Sequence, residues 1–307
     1  MVFPGQGSQR AGMGRDFHDA FEIARRAFEE ASDGAAFDIV ALCFGEDERL
    51  GLTEYAQPAI VATEIAMSRV LVEELGVRAD FYGGHSLGEY AALVAAGVLS
   101  LGAAAGAVRE RGRLMQEAVP VGAGRMVAVI RENLDLAAIA SACDGLEVDL
   151  ANDNSAAQVV LSGAVADVET VEARIVETLG EPAPRIVGLD VSAPFHSRLM
   201  RPIEDTFADV LSTVDVIRTD AAGTVTSNYT GDFHEQDAGR VRHNLVKQIC
   251  GTVRWRDNMQ ALVGRCARVI EVGPGRPLRG FFKTIGVTVE SITSLRAAEK
   301  ASRGAEG

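Results

Sequence analysis

Residues 83–90 read Gly-Gly-His-Ser-Leu-Gly-Glu-Tyr. The short apolar stretch 79–82 before them predicts a strand, and 87–96 after them predicts a helix. Between the two, Ser86 stands at the centre of a Gly84-x-Ser86-x-Gly88 pattern. A chain that reverses sharply from strand to helix projects the central hydroxyl at the strand's carboxyl end, and large neighbours would collide with the backbone there. The amide after the serine then lies at a helix N-terminus, where unpaired N–H groups can hold an oxyanion. In this context Ser86 reads as a nucleophile.

Outward from that turn, short apolar segments alternate with helical patterns over most of the 307 residues, which points to an α/β fold. The opening Met-Val-Phe runs into Pro4-Gly5-Gln6-Gly7, a turn signal, and then into an amphipathic stretch ending near Ala31. A helix is expected to begin near Pro58, since proline suits a first helical turn, and to end near Gly76. A glycine-rich stretch without periodicity, 119–124, reads as a linker. After it come strand 126–130, helix 134–143, strands 146–151 and 158–162, helix 165–179 and strand 185–189. That βαββαβ order predicts a small ferredoxin-like domain, 123–190, inserted into a larger α/β domain made of 1–122 and 191–307. Later strands are expected at 224–228, 269–272 and 287–292, with a small polar tail after Lys300.

Composition removes several classes of function. A net charge of −13 disfavours a polyphosphate backbone as partner, so no nucleic acid is expected. No apolar run is long enough to span a bilayer, and no secretory signal is visible at the start, so a cytoplasmic protein without membrane contact is expected. Cys43, Cys143, Cys250 and Cys266 form no CxxC pair, which fits reduced thiols better than a disulfide frame or a zinc site. No metal-type cluster is expected. Arg109, Arg111 and Arg113 crowd together and read, by default, as a solvated helix face.

A serine hydroxyl needs a general base. Of the five histidines, His85 adjoins Ser86 but should point away from it, as a packed structural residue. His18 lies in the early amphipathic helix, while His234 and His243 fall in a charged segment expected to be exposed. His196 lies in Val191-Ser-Ala-Pro-Phe-His-Ser197, a proline-bearing loop after a predicted strand, where catalytic groups concentrate. It is the best candidate. An α/β-hydrolase triad would run Ser, Asp, His with the histidine near the C-terminus. His196 instead precedes over a third of the chain, and no loop aspartate between it and Ser86 suggests itself. A dyad fits better.

Seven segments in order complete the pattern: Phe3–Gln9 (FPGQGSQ), 84–90 (GHSLGEY), Arg111–Ala118 (RGRLMQEA), Ala151–Ser155 (ANDNS), Ser192–Ser197 (SAPFHS), Leu245–Ile249 (LVKQI) and Glu271–Gly275 (EVGPG). Together they resemble the malonyl-CoA:acyl carrier protein transacylases of fatty acid and polyketide synthesis, over nearly the whole chain. The resemblance implies a hydrolase-like core with a parallel sheet and the inserted small domain. It implies malonyl transfer from malonyl-CoA to the phosphopantetheine thiol of an acyl carrier protein, by a ping-pong route through an ester on Ser86 with His196 as base and acid. It further implies that an oxygen of Gln248 orients His196, that Gln6 and the amide of Leu87 form the oxyanion hole, and that Arg111 grips the malonyl carboxylate. Phe195 resembles the bulky residue of malonyl-selecting members. No metal or other cofactor is implied. A guanidinium suits the carboxylate role physically, because it binds that group bidentately where lysine cannot. A discrete acyltransferase serving a polyketide synthase in trans would carry the same site, and a serine esterase or thioesterase is the alternative of a different class.

Overall fold

A computed structural model describes residues 1–303 of the chain. It contains two four-stranded sheets. The first is parallel, in the order Gly83–Gly84, Val2–Phe3, Val269–Val272, Val289–Ile292, with Val2 opposite both Gly83 and Glu271. Both faces of this sheet are covered, as parallel sheets require. A core built on the helices Glu22–Ala35, Thr53–Arg69 and Leu101–Glu117 includes Phe28, Ile60, Leu93 and Val108 and reaches the sheet at Phe3 and Val272. A second cluster around Trp255, Leu262, Val269 and Phe282 packs against the same sheet.

The second sheet is antiparallel throughout, in the order Val148–Ser155, Gln158–Ala164, Gly124–Ile130, Arg185–Gly188. With the helices Leu136–Ala142 and Val165–Leu179 this is the split βαβ arrangement expected for the small domain. Strand alternation decides its two faces. Val127, Val129, Val159 and Leu161 turn to the helices, while Met126, Ala128 and Val160 join the core of the larger unit. That second face becomes one wall of the site.

Three expected elements shift. The helix assigned to begin at Pro58 begins at Thr53, with Pro58 inside it. Residues Ala56 to Ser68 are all buried, so packing from every side sustains a helix through a residue that lacks an N–H. The strand expected at 79–82 is realised instead at Gly83–Gly84, with Tyr82 making a single bridge to Val225. Segment 224–228 forms no ladder beyond isolated bridges at Val225 and Thr226. It leads the chain past the end of the sheet to Asn228. The polar tail expected after Lys300 begins within the closing helix Leu295–Arg303, and residues 304–307 lie outside the described residues. Among the described residues no helix is long and apolar enough to cross a membrane.

Candidate active site

The turn at Ser86 is as tight as its glycines suggest. A Cβ on Gly84 would overlap the carbonyl of Gly88, and one on Gly88 would overlap the carbonyl of Phe3. Ser86 itself has φ 51°, a left-handed conformation that costs a non-glycine residue energy. Asn228 holds it there. Its Oδ1 accepts from the Ser86 amide at 2.5 Å, and its Nδ2 donates to the Gly84 carbonyl at 2.8 Å. The helix Gly88–Ala95 leaves immediately afterwards.

His196 meets Ser86 across the cleft, with Nε2 2.7 Å from the Ser86 Oγ. It too is left-handed, at φ 57°. Its loop is closed by a bond from Ser197 Oγ to the Pro194 carbonyl. The Nδ1 of His196 faces the backbone carbonyl of Gln248 at 2.8 Å. Gln248 ends the helix Ala238–Lys247, so this carbonyl is free of the helical ladder. It also lies at the negative end of the helix dipole, which favours a positive imidazolium. A helix terminus thus occupies the place that a carboxylate fills in a triad. Burial, followed by the nearby Arg111 charge, pushes the His196 pKa down to about 3.

That depression has a pH consequence. The folded protein disfavours the imidazolium, so the base stays neutral as pH falls through about 6.5, the ordinary imidazole value. Acylation of Ser86 is expected to show no acid limb near that value; a midpoint there would place the base in a solvated environment. Stability behaves differently. The unfolded chain takes up this proton first, so the His196 contribution weakens the fold as pH drops below about 6.5 and towards the folded value.

Arg111 comes from the helix Leu101–Glu117, whose start is capped by Ser100, and its side chain is buried at 1% exposure. Its guanidinium lies over the Tyr90 ring, 5.6 Å from the centroid. Nη1 donates to Gln57 Oε1 at 3.0 Å; Nη2 donates to Gln248 Oε1 at 3.0 Å and to Ser86 Oγ at 3.2 Å. Burial lowers its pKa from the ordinary guanidinium value. Arg109 and Arg113 are different: Arg109 pairs with Glu54 of the helix Thr53–Arg69 and donates to the Ala35 carbonyl, while Arg113 pairs with Glu110 and Glu117 of its own helix.

Of the other predicted residues, Gln6 adjoins this group through its side chain, which donates to Thr53 Oγ1 at 3.1 Å. Among the described residues, neither the Gln6 nor the Leu87 amide N–H has an intramolecular partner. The Leu87 side chain is fully buried and does not line the cleft, whereas Phe195, at 7% exposure, does. The cleft holds about 700 Å³ and is walled on one side by Met126, Ala128 and Val160 of the second sheet. His85 lines it too, but its Nε2 is 2.7 Å from Asn154 Oδ1 and not near Ser86 Oγ, the structural part expected for it. Glu271 of the EVGPG segment caps the helix Leu278–Lys283, accepting from the Leu278 and Arg279 amides.

Sequence reasoning missed Gln57, Asn228 and Glu89, and misjudged His234. That histidine is buried at 3% exposure, with Nε2 2.9 Å from Glu89 Oε1, and is not exposed. Its charged neighbours in sequence gave no sign of this. Glu89 lies on the predicted elbow helix, but its sequence neighbours do not mark it as buried.

A strand–Ser–helix turn, a histidine within hydrogen-bond distance of the hydroxyl and a buried arginine thus meet at one end of the cleft. Residues 1–273 match the acyl transferase domain family, and the chain belongs to that family as an enzyme. It is 38% identical to the malonyl CoA-acyl carrier protein transacylase of Bacillus subtilis strain 168, over 95% of this chain and 91% of that relative. It is 37% identical to the protein of the same name from Escherichia coli K12, over 99% and 97%. Among solved structures, malonyl-CoA:acyl carrier protein transacylase from Xanthomonas oryzae superposes with a TM-score of 0.91 at 35% identity, over 99% of this chain and 96% of that one. A malonyl-transacylase in complex with a type II polyketide synthase acyl carrier protein superposes at 0.89, with 37% identity over 99% and 98%.

Proposed function

We propose that this cytoplasmic acyltransferase moves a malonyl group from malonyl-CoA to the phosphopantetheine thiol of an acyl carrier protein, by a ping-pong route through Ser86. The observation that carries the reading is the meeting of three groups at one oxygen. Ser86 Oγ lies 2.7 Å from the His196 imidazole and 3.2 Å from the Arg111 guanidinium. The names of the relatives support the substrate pair.

His196 Nε2 accepts the hydroxyl proton as Ser86 Oγ attacks the thioester carbonyl. The Gln6 and Leu87 amides receive the developing oxyanion. Collapse breaks the C–S bond, and the imidazolium returns its proton to the leaving CoA thiolate. In the second half the carrier thiol gives its proton to His196, its sulfur attacks the ester, and Ser86 Oγ leaves with that proton. The Gln248 carbonyl keeps the imidazole in register throughout.

Arg111 selects the acyl group. Ester formation weakens Ser86 Oγ as an acceptor and releases an Nη2 donor to the malonyl carboxylate. The carboxylate also neutralises the charge that helps depress His196, so a correct substrate strengthens the base. Phe195 fills space beside the acyl group and disfavours a branched one. The elements 1–122 and 191–307 supply the chemistry as one domain, and 123–190 supplies the opposite wall as another.

The test pairs intact-mass analysis with a transfer assay. Malonyl-CoA is expected to add one malonyl group, acetyl-CoA and methylmalonyl-CoA much less. With phosphopantetheinylated carrier protein present, acyl-carrier formation is expected to outpace release of free malonate. Rapid malonate release that ignores the carrier would identify a thioesterase instead.

A further inference from the structure

Behind the reacting groups lies a buried acid that the mechanism above does not use. Glu89, on the first turn of the helix Gly88–Ala95, is fully buried. Its Oε2 accepts from the Gln248 Nε2 at 2.6 Å and from the Asn228 amide at 2.9 Å, and its Oε1 faces His234 Nε2 at 2.9 Å. Asn244 Nδ2, 3.3 Å from His234 Nδ1, makes that nitrogen an acceptor and leaves the Nε2 proton for Glu89.

An amide side chain is nearly symmetric in shape and asymmetric in chemistry, so its neighbours decide which end faces which way. An ionised carboxylate only accepts hydrogen bonds, and a guanidinium only donates them. Gln248 sits between one of each. Glu89 draws its NH₂ end, which also donates to the Ser86 carbonyl at 3.1 Å. The Oε1 end is thereby turned to Arg111 Nη2, 3.0 Å away. The negative charge of Glu89 is separated from the positive charge of Arg111 by a single amide.

We propose that Glu89 is a positioning residue for acyl selectivity: acting through the polarity it imposes on the Gln248 amide, it holds the Arg111 guanidinium in the orientation that demands a carboxylate on the acyl group. The inference rests on the reading of Arg111 as the carboxylate ligand. With Glu89→Gln, residue 89 can donate as well as accept, so the strongest hold on the NH₂ end of Gln248 is lost, leaving the Ser86 carbonyl and Arg111 to oppose reversal, and the amide reverses in a larger share of molecules. The reversed amide sets donors against the donors of Arg111, and the guanidinium loses its anchor. The Gln248 backbone carbonyl still orients His196, so the loss falls on carboxylated substrates.

The measurement is the malonyl-to-acetyl ratio of kcat/KM for acylation, which does not depend on the fraction of enzyme that is folded. Glu89→Gln is expected to lower it roughly ten-fold or more, the size of one hydrogen bond to a charged group, with malonyl transfer taking the larger fall. An unchanged ratio in folded Glu89→Gln overturns the proposal. Should that variant give no folded protein, Gln248→Met carries the test, since it keeps the backbone carbonyl and removes both amide ends. The same fall is expected there, and an unchanged ratio overturns the proposal equally. A wild type that shows no preference for malonyl over acetyl would remove the Arg111 reading and this inference together. A wild-type preference that survives Glu89→Gln removes this inference alone.

Discussion

Ser86→Ala is expected to take up no malonyl group at all from malonyl-CoA, while His196→Ala still takes it up, slower by a factor on the order of 10²–10⁴. The two differ because they remove different things. Ser86 supplies the only oxygen at the centre of the hydrogen-bond pattern, held at φ 51° by the Asn228 clamp. No neighbour can replace it: His85 is engaged with Asn154, and all four cysteines are free thiols whose pKa values are raised, chiefly by burial. His196 supplies proton transfer, and water can do part of that work while the oxyanion donors remain. Intact-mass analysis reads the first outcome, and single-turnover acylation reads the second. A malonyl increment on Ser86→Ala, or a label mapped to a cysteine, would sink the assignment. An aspartate variant between residues 86 and 196 that proved as damaging as His196→Ala, without unfolding the chain, would restore a hydrolase-type triad.

Arg111→Ala is expected to lower malonyl kcat/KM by a factor on the order of 10²–10⁴, as two hydrogen bonds to a charged group would, and to shrink or invert the preference over acetyl-CoA. With a malonyl group bound, the guanidinium gains a partner. With an acetyl group bound, a buried charge keeps donors unpaired, which is costly. Alanine removes both effects, one from each side of the ratio. Arg111→Lys is expected to recover little, because a single ammonium cannot span Gln57, Gln248 and the acyl carboxylate together. Replacing Arg113 serves as the control, since its ion pairs are with Glu110 and Glu117 of its own helix and it does not line the cleft. The far-ultraviolet circular dichroism spectrum checks that Arg111→Ala remains folded. A wild-type ratio in folded Arg111→Ala would show that another group reads the carboxylate.

Much of this was legible before any coordinates. The helix Val165–Leu179 and the strand Val269–Val272 fall where their periodicity and apolar runs put them. The antiparallel sheet follows from the βαββαβ order of its segments. These features depend on neighbours a few residues away, and the side-chain pattern of a strand or helix reports such neighbours directly. The same holds for the Ser86 turn, whose glycines are needed within one reversal of the chain. Pro58 misled for the complementary reason: its local preference is for a helix start, and packing overrode it.

Only the tertiary structure decided which polar groups are buried and with whom. Glu89 meets Gln248 across 159 residues of chain and His234 across 145, and nothing local distinguishes this glutamate from a solvated one. His234 looked exposed because its sequence neighbours are charged. It is buried because Glu89 and Asn244 offer it both an acceptor and a donor. Gln57 and Asn228 were silent for the same reason. A buried polar side chain is stable only where a partner from elsewhere in the fold satisfies it. That partner is fixed by how the elements pack, so the turn at Ser86 and the histidine loop that meets it could be read from the sequence, while the network that holds the arginine in place became visible only once the chain had folded.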